Sequence, residues 1–220
     1  MTTTTRSIAD QVSEFDVGFA ETIGPDLTAV FAREQQDLLA AGTPAGVVAP
    51  GDALPAATLR TPADEAVELA DVLGGAPAVL VLYRGAWCPY CNIALQHYER
   101  TLAPALRERG VGLVAISPQT PDGSAAAVTN GELSFTVLSD PGNALAAQLG
   151  IVTAPSEEAQ RAHTALGFAV RDSNADATPG IPFPTVLVVD AGGTVRFADV
   201  HVDYTTRTET ETILEAVAAL

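Results

Sequence analysis

Short apolar runs alternate with longer amphipathic stretches through residues 47–220. Residues 78–83 form a nearly continuous apolar run, which is typical of a buried parallel strand. Four apolar residues that follow it recur at helical spacing: Leu95, Tyr98, Leu102 and Leu106. Further strands are predicted at 111–116, 135–138, 185–189 and 194–198, and further helices at 122–131, 143–149 and 208–220. This order predicts an α/β fold with a central mixed sheet flanked by helices.

The first forty residues carry a separate amphipathic pattern. Apolar positions recur at helical spacing through residues 7–40, and Gly24-Pro25 interrupts the pattern, so we expect a helical hairpin. The turn-rich segment 41–46 separates it from the main domain. We therefore predict an N-terminal helical extension at 1–46 and a main domain at 47–220. The apolar stripe of the extension should pack against that domain or a second subunit.

The composition and net charge of the chain limit the kinds of molecule that it is expected to bind. The chain has 220 residues, 47% of them apolar, which is enough for one domain with a full core and an appendage. Its formal net charge of −16 disfavours nucleic acid and anionic membranes as partners, because both require clustered positive charge. No apolar run is long enough to span a membrane, and we expect a cytoplasmic protein.

Both cysteines of the chain lie at the predicted turn from strand to helix. Cys88 should stand at the helix N-terminus, where free N–H groups and the helix dipole favour an anion. Helix N-termini lower cysteine pKa values from about 8.5 to roughly 3.5–7.5, and the thiolate is the nucleophile. We expect Cys88 to be the attacking sulfur. Cys91, one turn further on, should keep the higher pKa and resolve the oxidised Cys88.

A zinc site is the main metal alternative for a Cys-x-x-Cys pair. A structural zinc site needs four nitrogen or sulfur ligands, and only His97, His163 and His201 remain to complete it. His97 falls on the helix that follows the cysteines, away from their turn. We therefore expect neither a metal nor an organic cofactor.

Several segments together resemble a known family. Trp87-Cys88-Pro89-Tyr90-Cys91 after a buried strand, with Phe183-Pro184-Thr185 before a later one, resembles the thioredoxin fold. Further segments are similar to the peroxiredoxin-like branch of the alkyl hydroperoxide reductase/thiol-specific antioxidant family: 51–55, 83–85, 116–119, 138–142 and 188–193. The resemblance covers roughly residues 47–220. It implies a peroxide substrate and a thioredoxin-like or low-molecular-weight thiol as reductant. A homodimer is also compatible with it.

The resemblance also implies roles for the residues around the thiols. Pro184 would follow a cis peptide bond and face Cys88, so that the Phe183 backbone meets a bound sulfur substrate. Independently of the resemblance, we expect Trp87 and Tyr90 at the rim of the site, either in contact with substrate or as wall material that limits exposure of the thiols. The segment that holds Asp203, Tyr204 and Arg207 resembles a tail signature of the same branch, to which the residues alone give no role.

Two departures from the family motif affect the chemistry. Peroxiredoxins carry Pro-x-x-x-Thr/Ser-x-x-Cys, whereas this chain has Val81 and Gly85 at the proline and hydroxyl positions. The usual peroxide-activating arginine is replaced by Pro184. We expect Arg84, four residues before Cys88, to stabilise the thiolate and polarise a peroxide oxygen in its place.

Three functions follow from these residues. The first is a thiol-dependent peroxidase that reduces hydrogen peroxide or organic hydroperoxides through a Cys88 sulfenic acid and a Cys88–Cys91 disulfide. The second is a protein thiol-disulfide oxidoreductase that uses the same Cys-Pro-Tyr-Cys pair, which Pro184 and the missing motif residues favour. The third is a non-catalytic protein whose affinity for a partner changes with the redox state of the pair.

Overall fold

The computed structural model describes residues 6–220 and contains one seven-stranded mixed sheet and one two-stranded sheet. The strands are β1 (Thr58–Arg60), β2 (Ala66–Glu68), β3 (Ala78–Leu82), β4 (Gly112–Ser117), β5 (Thr136–Ser139), β6 (Val152–Thr153), β7 (Ile181–Pro182), β8 (Thr185–Val189) and β9 (Val195–Val200). The α-helices are α1 (Ile8–Ala41), α2 (Leu69–Leu73), α3 (Pro89–Glu108), α4 (Pro121–Gly131), α5 (Ala144–Gln148), α6 (Glu157–Ala165), α7 (Val170–Ser173) and α8 (Thr210–Ala218), and a 3-10 turn spans Pro141–Asn143.

The large sheet has the order β2-β1-β5-β4-β3-β8-β9. β4 pairs in parallel with both β3 and β5. The other neighbouring strands of this sheet pair in antiparallel orientation. The predicted mixed sheet flanked by helices is thus confirmed. The short edge pair β1 and β2 was not predicted, because three-residue strands carry almost no periodicity.

The central strand β3 separates two apolar cores. All five of its residues are buried, and successive side chains point to opposite faces of the sheet. Val79 and Val81 join the core formed with α1, α3 and α8, whereas Leu80 and Leu82 join the core on the other face. The two cysteines belong to the first core. The turn that follows β3 and contains the cysteines therefore lies on the side of the sheet that α3 covers.

The N-terminal extension is a helix interrupted where the sequence predicts. Within Ile8–Ala41, Gly24 leaves the helical conformation with φ 80° and ψ 169°, and Pro25 follows it. The Ser7 side chain caps the start of the helix by accepting the Asp10 N–H at 3.0 Å. The helix ends at Ala41 with Gly42 as its C-cap, and the domain boundary near residue 46 stays a prediction.

Both halves of α1 pack on the main domain. Ile8 and Val12 enter the core that contains the cysteines, and the Glu209 carboxylate accepts the Ile8 and Ala9 N–H groups at 3.0 and 2.9 Å. In the second half, Arg33 pairs with Glu158 of α6 at 2.6 Å. The start of the apolar stripe is therefore buried against the same chain, whereas its later positions are half-buried and Leu39 is exposed.

The polar stretch between β5 and β8 contains helices that were not predicted. Helix α6 begins at Glu157 after Ser156, whose hydroxyl accepts the Ala159 N–H at 3.2 Å. Charged and small residues alternate in this helix, so its sequence gives little sign of the apolar side that packs on α1. Among the residues that the structure describes, none of the helices combines the length and the apolar character that crossing a membrane requires.

Candidate active site

The reactive turn is held between the end of β3 and the first turn of α3. Cys88 is the N-cap residue, with φ −86° and ψ 112°, and Pro89 occupies the first helical turn, where its missing N–H leaves no gap. The Cys88 carbonyl accepts the Cys91 N–H at 3.1 Å. Both thiols are free, and each side chain is about 1% exposed. The predicted placement of Cys88 at a helix N-terminus is confirmed.

Gly85 explains one departure from the family motif. Its φ of 146° lies in a region that side chains rarely adopt, and a Cβ atom there would lie 2.4 Å from Trp87 Nε1. The indole thus occupies the space that a threonine side chain would need. Gln119 fixes the same loop, since its Oε1 accepts the Ala86 N–H at 2.7 Å. Sequence reasoning missed Gln119, which lies on a different strand end.

An arginine from the tail of the chain reaches the thiols. Arg207 Nη2 donates to Cys91 Sγ at 3.0 Å and lies 3.9 Å from Cys88 Sγ. Its Nη1 donates to the carbonyls of Tyr204 and Thr206 at 2.7 and 2.6 Å, which holds the guanidinium in place. Sequence reasoning assigned no role to Arg207. Only its membership of the tail signature could have drawn attention to it.

The segment around Arg207 is itself tied down by side chains. His201 Nε2 lies 3.0 Å from Asp199 Oδ2, and the Thr208 hydroxyl donates to the same oxygen at 2.9 Å. Asp203 Oδ1 accepts the Thr205 N–H at 3.0 Å. These contacts give the tail segment a structural role, which is to position Arg207 beside the sulfur atoms.

The expected order of the two cysteine pKa values is wrong. Burial raises the pKa of Cys88 well above its ordinary value, and the hydrogen bond and negative charge of Cys91 raise it further. Burial also opposes ionisation of Cys91, but the hydrogen bond from Cys88, the Arg207 charge and the Arg84 N–H outweigh it and lower the pKa of Cys91. The direct contact with Arg207 therefore favours the thiolate form of Cys91 over that of Cys88.

Arg84 lies at the site, as predicted, and within residues 6–220 it has no ion-pair partner. Its guanidinium carbon lies 4.4 Å from the Tyr204 ring centroid and 5.0 Å from the Trp87 ring centroid. The side chain is only 7% exposed, and its charge helps to lower the pKa of Cys91. Arg84 thus contributes positive potential to the thiols while the two aromatic rings hold it by cation–π contacts.

An aromatic cavity of about 390 Å³ lies in front of Cys88. Cys88 lines it, whereas Cys91 lies behind Cys88 and does not. Aromatic and aliphatic side chains form most of the wall: Phe15, Phe19, Ile23, Phe31, Trp87, Tyr90, Leu166, Phe168 and Tyr204. Of the two cysteines, Cys88 alone therefore borders this cavity.

The N-terminal extension builds one side of this cavity. Phe15, Phe19, Ile23 and Phe31 all come from α1, on both sides of its break at Gly24. The Tyr90 hydroxyl donates to Asp16 Oδ1 at 2.7 Å, which joins the Cys-x-x-Cys turn to the extension. Sequence reasoning predicted that the extension packs on the main domain but not that it lines the site.

His163 contributes a neutral imidazole to the opposite wall. It lies between aromatic rings, with Trp87 at 5.5 Å and Phe168 at 5.0 Å between centroids. Burial and then the Arg84 charge lower its pKa from 6.5 to about 4. At neutral pH this histidine therefore adds no charge to the cavity.

The placement predicted for Pro184 is wrong. No cis peptide bond occurs among residues 6–220, so Phe183 and Pro184 are joined by a trans bond. Both residues line a small crevice beside Arg84 and Tyr204 rather than the cavity in front of Cys88. The sheet fixes the backbone on both sides of this bond: Thr185 pairs with Leu82 in β3, and the Pro184 carbonyl accepts the His201 N–H at 2.9 Å. The structure thus brings together Arg84, Trp87, Cys88, Tyr90 and Cys91 but leaves out Phe183 and Pro184.

Fold and site together define a peroxiredoxin-like thiol enzyme, in which a sheet of thioredoxin-like type presents two thiols at a helix N-terminus. The sequence profile of the AhpC/TSA family matches residues 50–198, and the chain belongs to this family. The match begins after the N-terminal extension and ends before Arg207. Curated protein sequences gave no match to the chain.

Solved structures support the same fold. Peroxidoxin BcpB from Mycobacterium tuberculosis is 21% identical, with a TM-score of 0.59 over 78% of this chain and 97% of that chain. Reduced Prx3 from Vibrio vulnificus is 22% identical, with a TM-score of 0.63 over 78% of this chain and 99% of that chain. A yeast mitochondrial 1-Cys peroxiredoxin is 16% identical, with a TM-score of 0.58 over 79% of this chain and 76% of that chain. At these identities the similarity concerns the fold.

Proposed function

We propose that this chain reduces peroxides through a Cys88 sulfenic acid and a Cys88–Cys91 disulfide. One observation carries the proposal: Cys88 faces the cavity, while Cys91 behind it accepts a hydrogen bond from Arg207 at 3.0 Å. This arrangement supplies an attacking sulfur that borders the cavity, a second sulfur beside it, and a positive charge that favours the thiolate form of that second sulfur.

In the first step, the Cys91 thiolate takes the proton from Cys88. The Cys88 thiolate then attacks the peroxide oxygen that carries a hydrogen atom, so that an S–O bond forms and the O–O bond breaks. Two electrons pass from sulfur to the leaving oxygen. That oxygen takes the proton from Cys91 and departs as water or an alcohol, which leaves Cys88 as a sulfenic acid and Cys91 again as a thiolate.

In the second step, Cys91 attacks the Cys88 sulfur. An S–S bond forms, the S–O bond breaks, and hydroxide leaves and takes a proton from solvent. In this scheme Cys91 serves first as the base and then as the resolving thiol. The lowered pKa of Cys91 suits both roles, because each of them requires the thiolate form.

The two arginines stabilise negative charge at different points. Arg207 holds the charge on Cys91 in the resting enzyme. Arg84 lies at the cavity wall and is available to the leaving oxygen as charge develops on it, in a site from which apolar walls exclude water. Trp87 and Tyr90 line the same cavity and would contact the substrate.

The disulfide must be reduced by an external thiol, for which we propose a thioredoxin-like protein or a low-molecular-weight thiol. In the yeast mitochondrial 1-Cys peroxiredoxin, the thiol is resolved via glutathione/thioredoxin systems. A pair that cycles in this way fits a reducing compartment, so we propose the cytoplasm as its location. A homodimer stays a prediction.

The rival activity, protein thiol-disulfide exchange, loses one of its three supports and keeps the departures from the peroxiredoxin motif. It drew on a cis-proline beside the thiols, and the bond before Pro184 is trans. It keeps the Cys-Pro-Tyr-Cys pair itself. The third hypothesis, a non-catalytic redox-responsive binding protein, predicts oxidation without turnover.

Stopped-flow oxidation of the reduced protein by hydrogen peroxide and by cumene hydroperoxide tests the proposal. Cys91→Ser removes two of the effects that raise the pKa of Cys88, so this variant should react once and stall as a sulfenic acid, visible by mass spectrometry. Cys88→Ser should react slowly, because Cys91 does not line the cavity. Equal first-step rates in the two variants would contradict the assignment, and rapid insulin reduction without peroxide consumption would favour the disulfide oxidoreductase.

A further inference from the structure

The cavity in front of Cys88 holds a buried cation, Arg84, that forms no direct ion pair within residues 6–220, although Glu34 also lines the cavity and the Cys91 thiolate lies close enough to feel its charge. Arg84 is 7% exposed, and its Nε atom is buried without a hydrogen-bond partner within residues 6–220. None of the ion pairs found in that range includes it. A buried charge is strongly disfavoured unless a counter-charge accompanies it, and the flanking aromatic rings supply only part of that compensation.

A second polar group in the wall also lacks a partner. His163 is 7% exposed, and its Nδ1 atom is buried with no hydrogen-bond partner in the described part of the chain. Because the imidazole is neutral near pH 7, its nitrogens offer one donor and one acceptor. Trp87 Nε1 is also buried without a partner in that part of the chain, and three unpartnered polar groups around one cavity indicate a ligand that carries oxygen atoms.

The rest of the wall requires a ligand with an apolar body. The cavity of about 390 Å³ falls within the range of small-molecule sites, about 300–1,000 Å³. Hydrogen peroxide is comparable in size to two waters, each of which takes about 30 Å³ in the liquid, and would leave most of this space unfilled. Phe15, Phe19 and Phe31 from α1 face that space.

We propose that this cavity binds an amphipathic organic anion whose single carboxylate pairs with Arg84 and whose apolar chain or ring lies among the aromatic side chains. A guanidinium matches the planar geometry of a carboxylate, and apolar walls strengthen the pair by excluding water. The net charge of −16 does not prevent binding, since exposed charges are screened beyond about 10 Å at 0.1 M salt. If the proposed peroxidase function holds, on which this last step rests, the substrate is a hydroperoxide of such an acid.

The chain has a single tryptophan, Trp87, and it forms part of the cavity wall. Its emission therefore reports on this cavity alone. The reduced protein is titrated with octanoate, with 1-octanol and with acetate, and calorimetry repeats each titration. Octanoate should bind at least tenfold more tightly than octanol, and acetate should bind far more weakly than either.

Two variants separate the charge from the apolar wall. Arg84→Met should bring the octanoate and octanol affinities close to each other, whereas Arg84→Lys should keep a preference for octanoate. Arg161→Met is the matched control, because Arg161 lies on the same helix as His163 with a side chain that is 71% exposed. This control should behave as the wild type. Should Arg84→Met fail to fold, the three ligands on the wild-type protein and Arg84→Lys still decide the matter.

Equal affinity for octanoate and octanol on the wild type would overturn the carboxylate site, and so would an unchanged preference in Arg84→Met. Absence of binding by both emission and calorimetry would overturn the ligand site altogether. None of these measurements contains peroxide, so they are independent of the stopped-flow test of the peroxidase. Octanoate binding without peroxide turnover would support the site and reject the proposed function. Peroxide turnover without octanoate binding would support the proposed function and reject the site.

Discussion

Arg207 donates a hydrogen bond to Cys91 Sγ at 3.0 Å, although the two residues are 116 positions apart in the chain. This contact decides where the negative charge of the thiol pair resides. The helix N-terminus favours a thiolate at Cys88, but a guanidinium in direct contact with Cys91 has the stronger effect at short range. The guanidinium therefore favours a negative charge on the sulfur that does not line the cavity.

Removal of the Arg207 charge should raise the pKa of the thiol pair. Arg207→Met keeps an apolar stem and loses the hydrogen bond to Cys91, so we expect the midpoint of thiolate absorbance to rise by about 1–3 pH units. The control is Arg196→Met, since Arg196 pairs with Asp190 at the surface. An unchanged midpoint in Arg207→Met would show that Arg207 does not hold the charge.

The fold was largely predictable because its central elements have strong local patterns. Strand β3 is one apolar run, and α3 repeats its buried residues at helical spacing. Helix α6 was missed, because its buried face consists of Ala159, Ala162 and His163 rather than large apolar residues. Short patterns of small residues carry little information about burial.

The candidate site was predictable only where it is local in the sequence. Arg84, Trp87, Cys88 and Tyr90 stand within seven residues of one another and fold into one turn and cavity wall. Arg207 arrives through tertiary structure, and no spacing rule links it to the cysteines. The order of the cysteine pKa values was wrong for this reason. The placement of Pro184 was wrong because it came from the family resemblance rather than from the residues.

Restoring the family's hydroxyl residue at Gly85 should destabilise this protein. Gly85→Thr would place a side chain in a strained backbone region and within 2.4 Å of Trp87 Nε1, so we expect a loss of about 1–3 kcal/mol and a shift in tryptophan emission. Urea unfolding followed by emission measures both effects.

Gly18→Ala is the matched control for that substitution. Gly18 lies in α1 with open space around it, and alanine is favoured over glycine in a helix by roughly 0.5–1 kcal/mol. It should therefore leave the emission unchanged and the stability equal or higher. If Gly85→Thr behaves in the same way, the indole does not restrict position 85.

Glu209 should tie the extension to the main domain. Its carboxylate accepts the Ile8 and Ala9 N–H groups, which have no partner within their own helix. We expect Glu209→Ala to destabilise the protein by about 1–2 kcal/mol, as loss of a helix cap does, and to speed amide exchange at the start of α1. Glu215→Ala, at an exposed position of α8, should do neither. Unchanged exchange at Ile8 and Ala9 in the first variant would contradict this role.

His163 should make the stability of the protein depend on pH. Burial lowers its pKa from 6.5 to about 4, so between these values the unfolded chain binds more protons than the folded one. The free energy of unfolding is therefore greatest above pH 6.5 and falls as the pH decreases toward 4. Each pKa unit corresponds to 1.36 kcal/mol, which gives about 3 kcal/mol across this window.

The variant His163→Phe isolates that contribution. It keeps an aromatic ring among Phe31, Trp87 and Phe168 but removes the titrating group. Urea unfolding at pH 7.5 and pH 4.5 should show a smaller loss of stability on acidification in the variant than in the wild type. The many carboxylates of this acidic chain contribute to both proteins and cancel in the comparison. Equal losses in the two proteins would mean that His163 takes up its proton in the folded state as readily as in the unfolded chain.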